Sequence, residues 1–249
     1  MTTHVIDRAV ARATGIDGWL TVDQARRLAA AAAECRPGGQ IVEIGSFRGR
    51  STVVLASAAP DGVLVVAIDP HAGNDRGPQE IAGYTAEAAA DRATFERNLN
   101  TAGVRHRVRH VASLSDAAHA AVEGSVDVLF IDGAHRYAPA RDDLRTWGGR
   151  VGAGGVLFVH DAFSSIGVTL AIGRVLLGGR RFRYVGRTRS LAEYRADLSP
   201  RPLDRAGNVA RQLASLPWFV RNVAVKAWLS AGGGRLFARL GRSVPDWPY

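Results

Sequence analysis

Residues 41–51, Ile-Val-Glu-Ile-Gly-Ser-Phe-Arg-Gly-Arg-Ser, constrain the fold more than any other stretch of this chain. A short run rich in β-branched residues leads into Glu43-x-Gly45, Gly49 follows four residues later, and Ser51 and Thr52 open an alanine-rich segment of helical spacing. The pattern predicts strand, tight turn, helix. Glycine lets the backbone turn sharply and approach a ligand closely, and a helix N-terminus offers unpaired N–H groups. A dinucleotide fingerprint would need glycine two and five residues after the first. Those places hold Phe47 and Arg50, so nicotinamide and flavin dinucleotides are disfavoured.

A second strand is expected at 63–68, a continuous apolar run of the kind buried on both faces of a parallel sheet. It ends in Asp69-Pro70, 24 residues after Gly45. Rossmann-like folds use an acidic residue at this place to accept hydrogen bonds from a ribose diol. A turn-capping role before proline is the plainer alternative for Asp69. The following stretch, 71–102, exceeds an ordinary connection. Its glycine-rich first part reads either as a substrate lid or as a solvated insertion, and 79–100 is helix-prone. A third strand is expected at 107–112, and a helix at 114–123 for which Ser113 is a candidate N-cap.

The densest chemistry comes next. The apolar run 126–131 ends in Asp132-Gly-Ala-His135-Arg-Tyr, a helix is expected at 138–147, and the strand 155–159 ends in His160-Asp161. Adjacent strands lie about 4.8 Å apart, so two strands deliver two aspartates to one sheet edge. Such carboxylates repel unless one is protonated or a cation bridges them, and a magnesium ion with oxygen ligands fits. Strand-end caps without metal are the alternative for both aspartates. His135 reads as a general base or as a hydrogen-bonder at a helix start. Strand alternation turns His160 to the opposite face, which suits a structural role. No third protein ligand is chosen by the sequence, with His71, Asn74 and Asp75 placed to contribute. Beyond Asp161, a helix is expected at 164–177 and a hairpin from 182–185 and 191–194.

Glu43-x-Gly45-x-x-x-Gly49 with Asp69 resembles the first motifs of class I S-adenosylmethionine (AdoMet)-dependent methyltransferases. Asp132-Gly-x-His135 together with His160-Asp161 resembles the magnesium-using, small-molecule O-methyltransferases of that class. The resemblance spans about residues 40–195. It includes actinobacterial enzymes that tailor glycosides and methylated polysaccharides, such as the methylmannose polysaccharide type of mycobacteria. It implies an α/β, Rossmann-like fold: a mostly parallel sheet, helices on both faces and an antiparallel terminal strand. It further implies AdoMet contacts at Glu43, Gly45, Ser46, Gly49, Ser51, Asp69, Ser113 and Asp132, magnesium on Asp132 and Asp161, and His135 as base. A hydroxyl must lose a proton as it attacks the sulfonium methyl, and imidazole can accept that proton at neutral pH. The implied acceptor is a sugar or oligosaccharide, with a phenol or catechol as the rival.

Three segments follow from this: N-terminal helices over 1–39, a cofactor-binding core over 40–198, and an extension over 199–249. The first segment holds two helices within 4–34, the second of them capped by Thr21 with Gln24 as reciprocal partner. The extension, with basic amphipathic stretches at 206–226 and 228–242, reads as packing on the core or on a partner subunit in a homo-oligomer. Lying on an anionic membrane surface is its alternative. A non-enzymatic binding module built on that tail is the rival of another class.

Charge and composition set the remaining bounds. Thirty-two Lys+Arg against 23 Asp+Glu give a net charge of +9, which attracts anionic partners. Without a helix-turn-helix, zinc-finger or RNA-binding signature, nucleic acid is disfavoured. One cysteine excludes an intrachain disulfide and suits a reducing compartment. No leader and no apolar run of about 20 residues is evident, so a cytoplasmic protein is expected.

Overall fold

The computed structural model describes residues 2–72 and 85–231. Seven strands form one sheet in the order β3-β2-β1-β4-β5-β7-β6. The first five, β1 (Gln40–Ile44), β2 (Leu64–Ile68), β3 (Val108–Val111), β4 (Val126–Ile131) and β5 (Val151–Val159), run parallel. β7 (Leu191–Ala196) lies antiparallel between β5 and β6 (Phe182–Thr188). The expected reversal of the last strands is thus present, and β5 begins four residues earlier than the sequence suggested.

Both faces of the sheet are covered. Along β1, Ile41 packs toward α1 (Thr2–Arg12), α2 (Val22–Ala33) and α3 (Arg50–Ala58), whereas Val42 and Ile44 face α5 (Tyr137–Thr146) and α6 (Ile166–Val175). Phe130 and Phe158 belong to the first layer, Leu129 and Leu157 to the second. A strand turns successive side chains to opposite faces, so these continuous apolar runs feed two cores at once. The capping box at Thr21 forms as expected: Thr21 Oγ1 accepts from Gln24 N and Gln24 Oε1 from Thr21 N.

Two expectations need correction. Residues 114–123 do not form an α-helix; two 3-10 turns, Ser115–Ala117 and His119–Ala121, replace it. Ser113 caps neither, its hydroxyl donating to Leu114 O at 3.2 Å. Here tertiary bonds outweigh local propensity: Ser115 O accepts from Trp147 Nε1, and Arg150 reaches His119 O and Val122 O, so carbonyls a helix would use inward are drawn elsewhere. Of the long stretch after Asp69, α4 (Thr85–Thr101) is described, and residues 73–84, with Asn74 and Asp75, lie outside the described residues.

The C-terminal region continues with α7 (Pro202–Leu213) and α8 (Leu216–Ser230). Asn208 accepts from Tyr184 N at 2.5 Å, and Tyr194 Oη donates to Gln212 Oε1 at 3.0 Å, so α7 is bonded into the edge of the sheet. Both side chains are buried, and satisfied amides at such a place fix register as well as adding stability. The apolar positions 236, 237 and 240 of the last expected amphipathic stretch lie outside the described residues.

Candidate active site

Parallel pairing aligns the carboxyl ends of β2, β1, β4 and β5, with Ile68, Ile44, Ile131 and Val159 in register. Backbone bonds continue that alignment beyond the strands: Gly45 N to Ile68 O at 2.9 Å, Asp132 N to Ile44 O at 2.8 Å, and His160 N to Ile131 O at 2.9 Å. The residues singled out by sequence therefore emerge side by side along one edge. Most of them border a cleft of ≈ 550 Å³, within the range of small-molecule sites, whereas Asp161 stands behind its lining. Gly45, Ser46, Ser51, Asp69, Ser113, Asp132 and His135 line it, together with Gly18, Trp19 and Leu20 from the N-terminal segment.

The glycine turn is close-fitting. Gly45 has φ +85°, and a Cβ there would collide with the Asp132 carbonyl and stand 2.9 Å from Gly133 N. Gly49, the N-cap of α3, shares that φ, and a Cβ on it would stand 3.0 Å from the Phe95 ring. Asp69 braces the same turn: Oδ2 accepts from Ser46 N and Phe47 N at 2.8 Å each, and Oδ1 from His71 N at 2.7 Å. Its carboxylate thus shapes the cradle and lines the cleft at once.

Glu43 is placed differently from the expectation of cofactor contact. It is fully buried beneath α3, where Thr52 Oγ1 donates to it, and it does not border the cleft. Burial pushes its carboxyl up to about 7 against the hydroxyls of Ser51 and Thr52. Strand alternation explains the placement, since Glu43 shares the face of Ile41 and not that of Ile44. Gly49 likewise supports the turn from below.

At the other end of the cleft, Asp132, His135 and Asp161 each offer a ligand atom, and these atoms lie within 4.8 Å of one another. His135 Nε2 is 3.0 Å from Asp161 Oδ2. His160, expected on the opposite face, joins them: its Nδ1 is 3.0 Å from Asp132 Oδ1 and 3.4 Å from Asp161 Oδ2, an ionic contact outside hydrogen-bond angles. Strand alternation fails here because β5 ends at Val159 and Asp161 has φ +53°, which swings its carboxylate back toward His160. Burial opposes charge on His160, yet the two carboxylates outweigh it and carry its pKa up to about 10. Burial likewise opposes charge on Asp161, and His135 and His160 outweigh it, holding that carboxyl well below the usual range. His160 thus faces both aspartates from within the fold.

His71 belongs to a different cluster. Its Nε2 is 2.8 Å from Phe47 O and its ring packs on Phe95 and His110, so it is the turn that His71 holds. Two further features escaped sequence reasoning. Trp19 and Phe47 pack with ring planes tilted by 39° and centroids 5.1 Å apart on the wall of the cleft, and Arg50 Nη1 donates to Gly18 O at 3.0 Å, tying the N-terminal segment to the glycine turn. A lone Trp after Gly18 carries no periodic signal that would have marked it.

The chain's likeness to known proteins agrees with this geometry. Residues 42–162 match the model of a family described as a methyltransferase domain. The O-methyltransferase NovP superposes with TM-score 0.59 at 17% identity, covering 79% of this chain and 99% of NovP. Cofactor-bound Rv0187 from MTB gives 0.53 at 18% identity over 80% of this chain and 90% of that one. An O-methyltransferase from Bacillus cereus in complex with SAH (S-adenosylhomocysteine) gives 0.50 at 17% identity, over 79% and 90%. At these identities the structural likeness establishes the fold. The domain match marks residues 42–162, the stretch that carries the glycine turn and the acid cluster, as similar to a methyltransferase domain.

Proposed function

We propose that the chain is an AdoMet-dependent O-methyltransferase that methylates a hydroxyl of a sugar or oligosaccharide, with a magnesium ion held by Asp132 and Asp161. The observation that carries this reading is the convergence of Asp132, His135 and Asp161 within 4.8 Å, at the end of a cleft whose other wall is the glycine turn. Two carboxylates and an imidazole suit a divalent cation, the carboxylates being the donors that magnesium prefers. Bound there, the ion would stabilise negative charge on the acceptor oxygen. His135, partly exposed, is placed to take the hydroxyl proton, and its contact with Asp161 orients the ring. Gly45, Ser46 and Asp69 are assigned to the cofactor, Asp69 by bracing the turn and accepting from the ribose. Ser51 and Ser113 line the same cleft, and Glu43 and Gly49 act from beneath it.

Asp17, Asp91 and Asp142 also border the cleft, and carboxylates are the acceptors to which sugar hydroxyls donate. The Trp19–Phe47 pair favours a second reading, a phenolic acceptor, because a flat apolar ring stacks on such a surface. Transfer of a labelled methyl group to panels of glycosides and catechols, with magnesium and with EDTA, separates the two. His135→Gln should retain S-adenosylhomocysteine binding and lose turnover by a factor of about 100 or more; an active variant removes the base assignment. Self-association, and contact of the arginine-rich segment 199–249 with an anionic surface, belong to the same proposal and are checked by light scattering and liposome flotation. No described helix is long and apolar enough to cross a membrane.

A further inference from the structure

The loop that carries Asp161 follows a costly backbone path. Asp161 and Phe163 both have positive φ, 53° and 55°, and for residues with a Cβ each such conformation costs about 1 kcal/mol or more. Something must hold the loop there. Ala162 N bonds Ser190 O at 2.9 Å, and Ser165 N bonds Asp161 O at 2.9 Å. Two side chains of α8 supply further restraint on the intervening carbonyls. Asn222, fully buried, donates from Nδ2 to Phe163 O at 3.2 Å, and Lys226 donates from Nζ to Ser164 O at 3.1 Å. Four residues apart, they share one face of the helix, one turn above the other. The Lys226 ammonium also feels the Asp161 carboxylate, so α8 brings both a clamp and a positive charge to the acid cluster.

We propose that α8 is a working part of the reaction centre, with Asn222 and Lys226 as positioning residues that hold the 161–164 loop so that Asp161 faces His135 and Asp132. The proposal rests on reading that acid–imidazole cluster as the reaction centre. It changes the role of the C-terminal segment from an appendage to a support of the site. The glycine turn and Asp69 sit at the ends of β1 and β2, across β4 from this loop, so cofactor affinity and loop position are separable.

The test follows the imidazole rings of the full chain by NMR, with calorimetric titration of S-adenosylhomocysteine alongside. Asn222→Leu removes one bond at nearly constant volume, and Lys226→Met removes the other at a less buried place, in case the first variant fails to fold. The ring signals of His135 and His160 should shift in both variants and return toward the wild type in Lys226→Arg, with S-adenosylhomocysteine affinity within about twofold of wild type. Unmoved ring signals in a folded variant would overturn the clamp. So would a larger parallel loss of affinity, because the substitution would then act on the whole fold. Failure of the wild type to bind S-adenosylhomocysteine would count against the cofactor assignment instead, and the ring signals would still report on α8.

Discussion

Asp69 braces the glycine turn and is proposed to accept from the cofactor ribose, and substitution can separate the two roles. Three backbone N–H groups, from Ser46, Phe47 and His71, end on its two oxygens at 2.7–2.8 Å. In Asp69→Asn the amide oxygen can still accept the first two, but the amide nitrogen then confronts the His71 N–H, donor against donor. One charge-assisted bond is lost, a buried N–H is left unsatisfied, and two bonds lose their charge. Bonds to a charged group contribute about 1.5–3 kcal/mol each, so the asparagine variant, which loses one, should be about 2 kcal/mol or more less stable, and Asp69→Ala, which loses all three, about 4.5 kcal/mol or more. For a chain of this size, about 2 kcal/mol corresponds to roughly 4–8 °C in Tm. S-adenosylhomocysteine affinity should fall by more than a factor of ten, about 1.4 kcal/mol, because the turn loosens and the proposed ribose acceptor is lost together. Urea unfolding and calorimetry read the two effects independently. A variant with wild-type stability and lost affinity would mean that Asp69 serves the ligand alone. Unchanged values in both would refute the reasoning.

Two more predictions follow from close contacts and burial. A Cβ on Gly167, in the first turn of α6, would collide with the His135 carbonyl and come within 2.8 Å of Tyr137 N. Gly167→Ala should displace the His135 loop and lower turnover at least tenfold, about 1.4 kcal/mol of barrier, with the fold retained; full activity would show that the α5–α6 approach is free to relax. Glu43 titrates near 7 in the fold because burial raises it from 4.5. The native state therefore holds its proton more tightly than the unfolded chain. Its contribution is complete below pH 4.5 and is lost as pH rises through about 7, about 3 kcal/mol in all. Glu43→Gln should remove that part of the slope of stability against pH, and an unchanged slope in urea titrations would count against it.

The sheet was legible because its strands announce themselves: apolar runs at 63–68 and 126–131 end in turn residues, and a doubly covered parallel sheet needs such runs. The motif residues around the cleft were legible for the same reason, since strand ends in register put Gly45, Asp69, Asp132 and Asp161 on one edge. What sequence misplaced depends on backbone that breaks a period. Alternation sent His160 away from Asp161, and a left-handed residue brought the two together. Local propensity predicted a helix after Ser113, where Trp147 and Arg150 take the carbonyls. Glu43 was misread in the opposite way, because strand alternation, applied strictly, already turns it from the cleft. Gly167, Asn222 and Lys226 matter through contacts across 30 to 62 residues of chain, and no local spacing encodes those.

The central claim is that the cleft between the glycine turn and the acid cluster binds AdoMet, and calorimetric titration of S-adenosylhomocysteine into the purified chain tests it most directly. Binding at one site per chain with a Kd near 1 μM, about −8 kcal/mol, is the predicted result, weakened by Asp69→Asn and little changed by His135→Gln. Absence of binding to the folded wild-type chain, with magnesium and with EDTA, would contradict it.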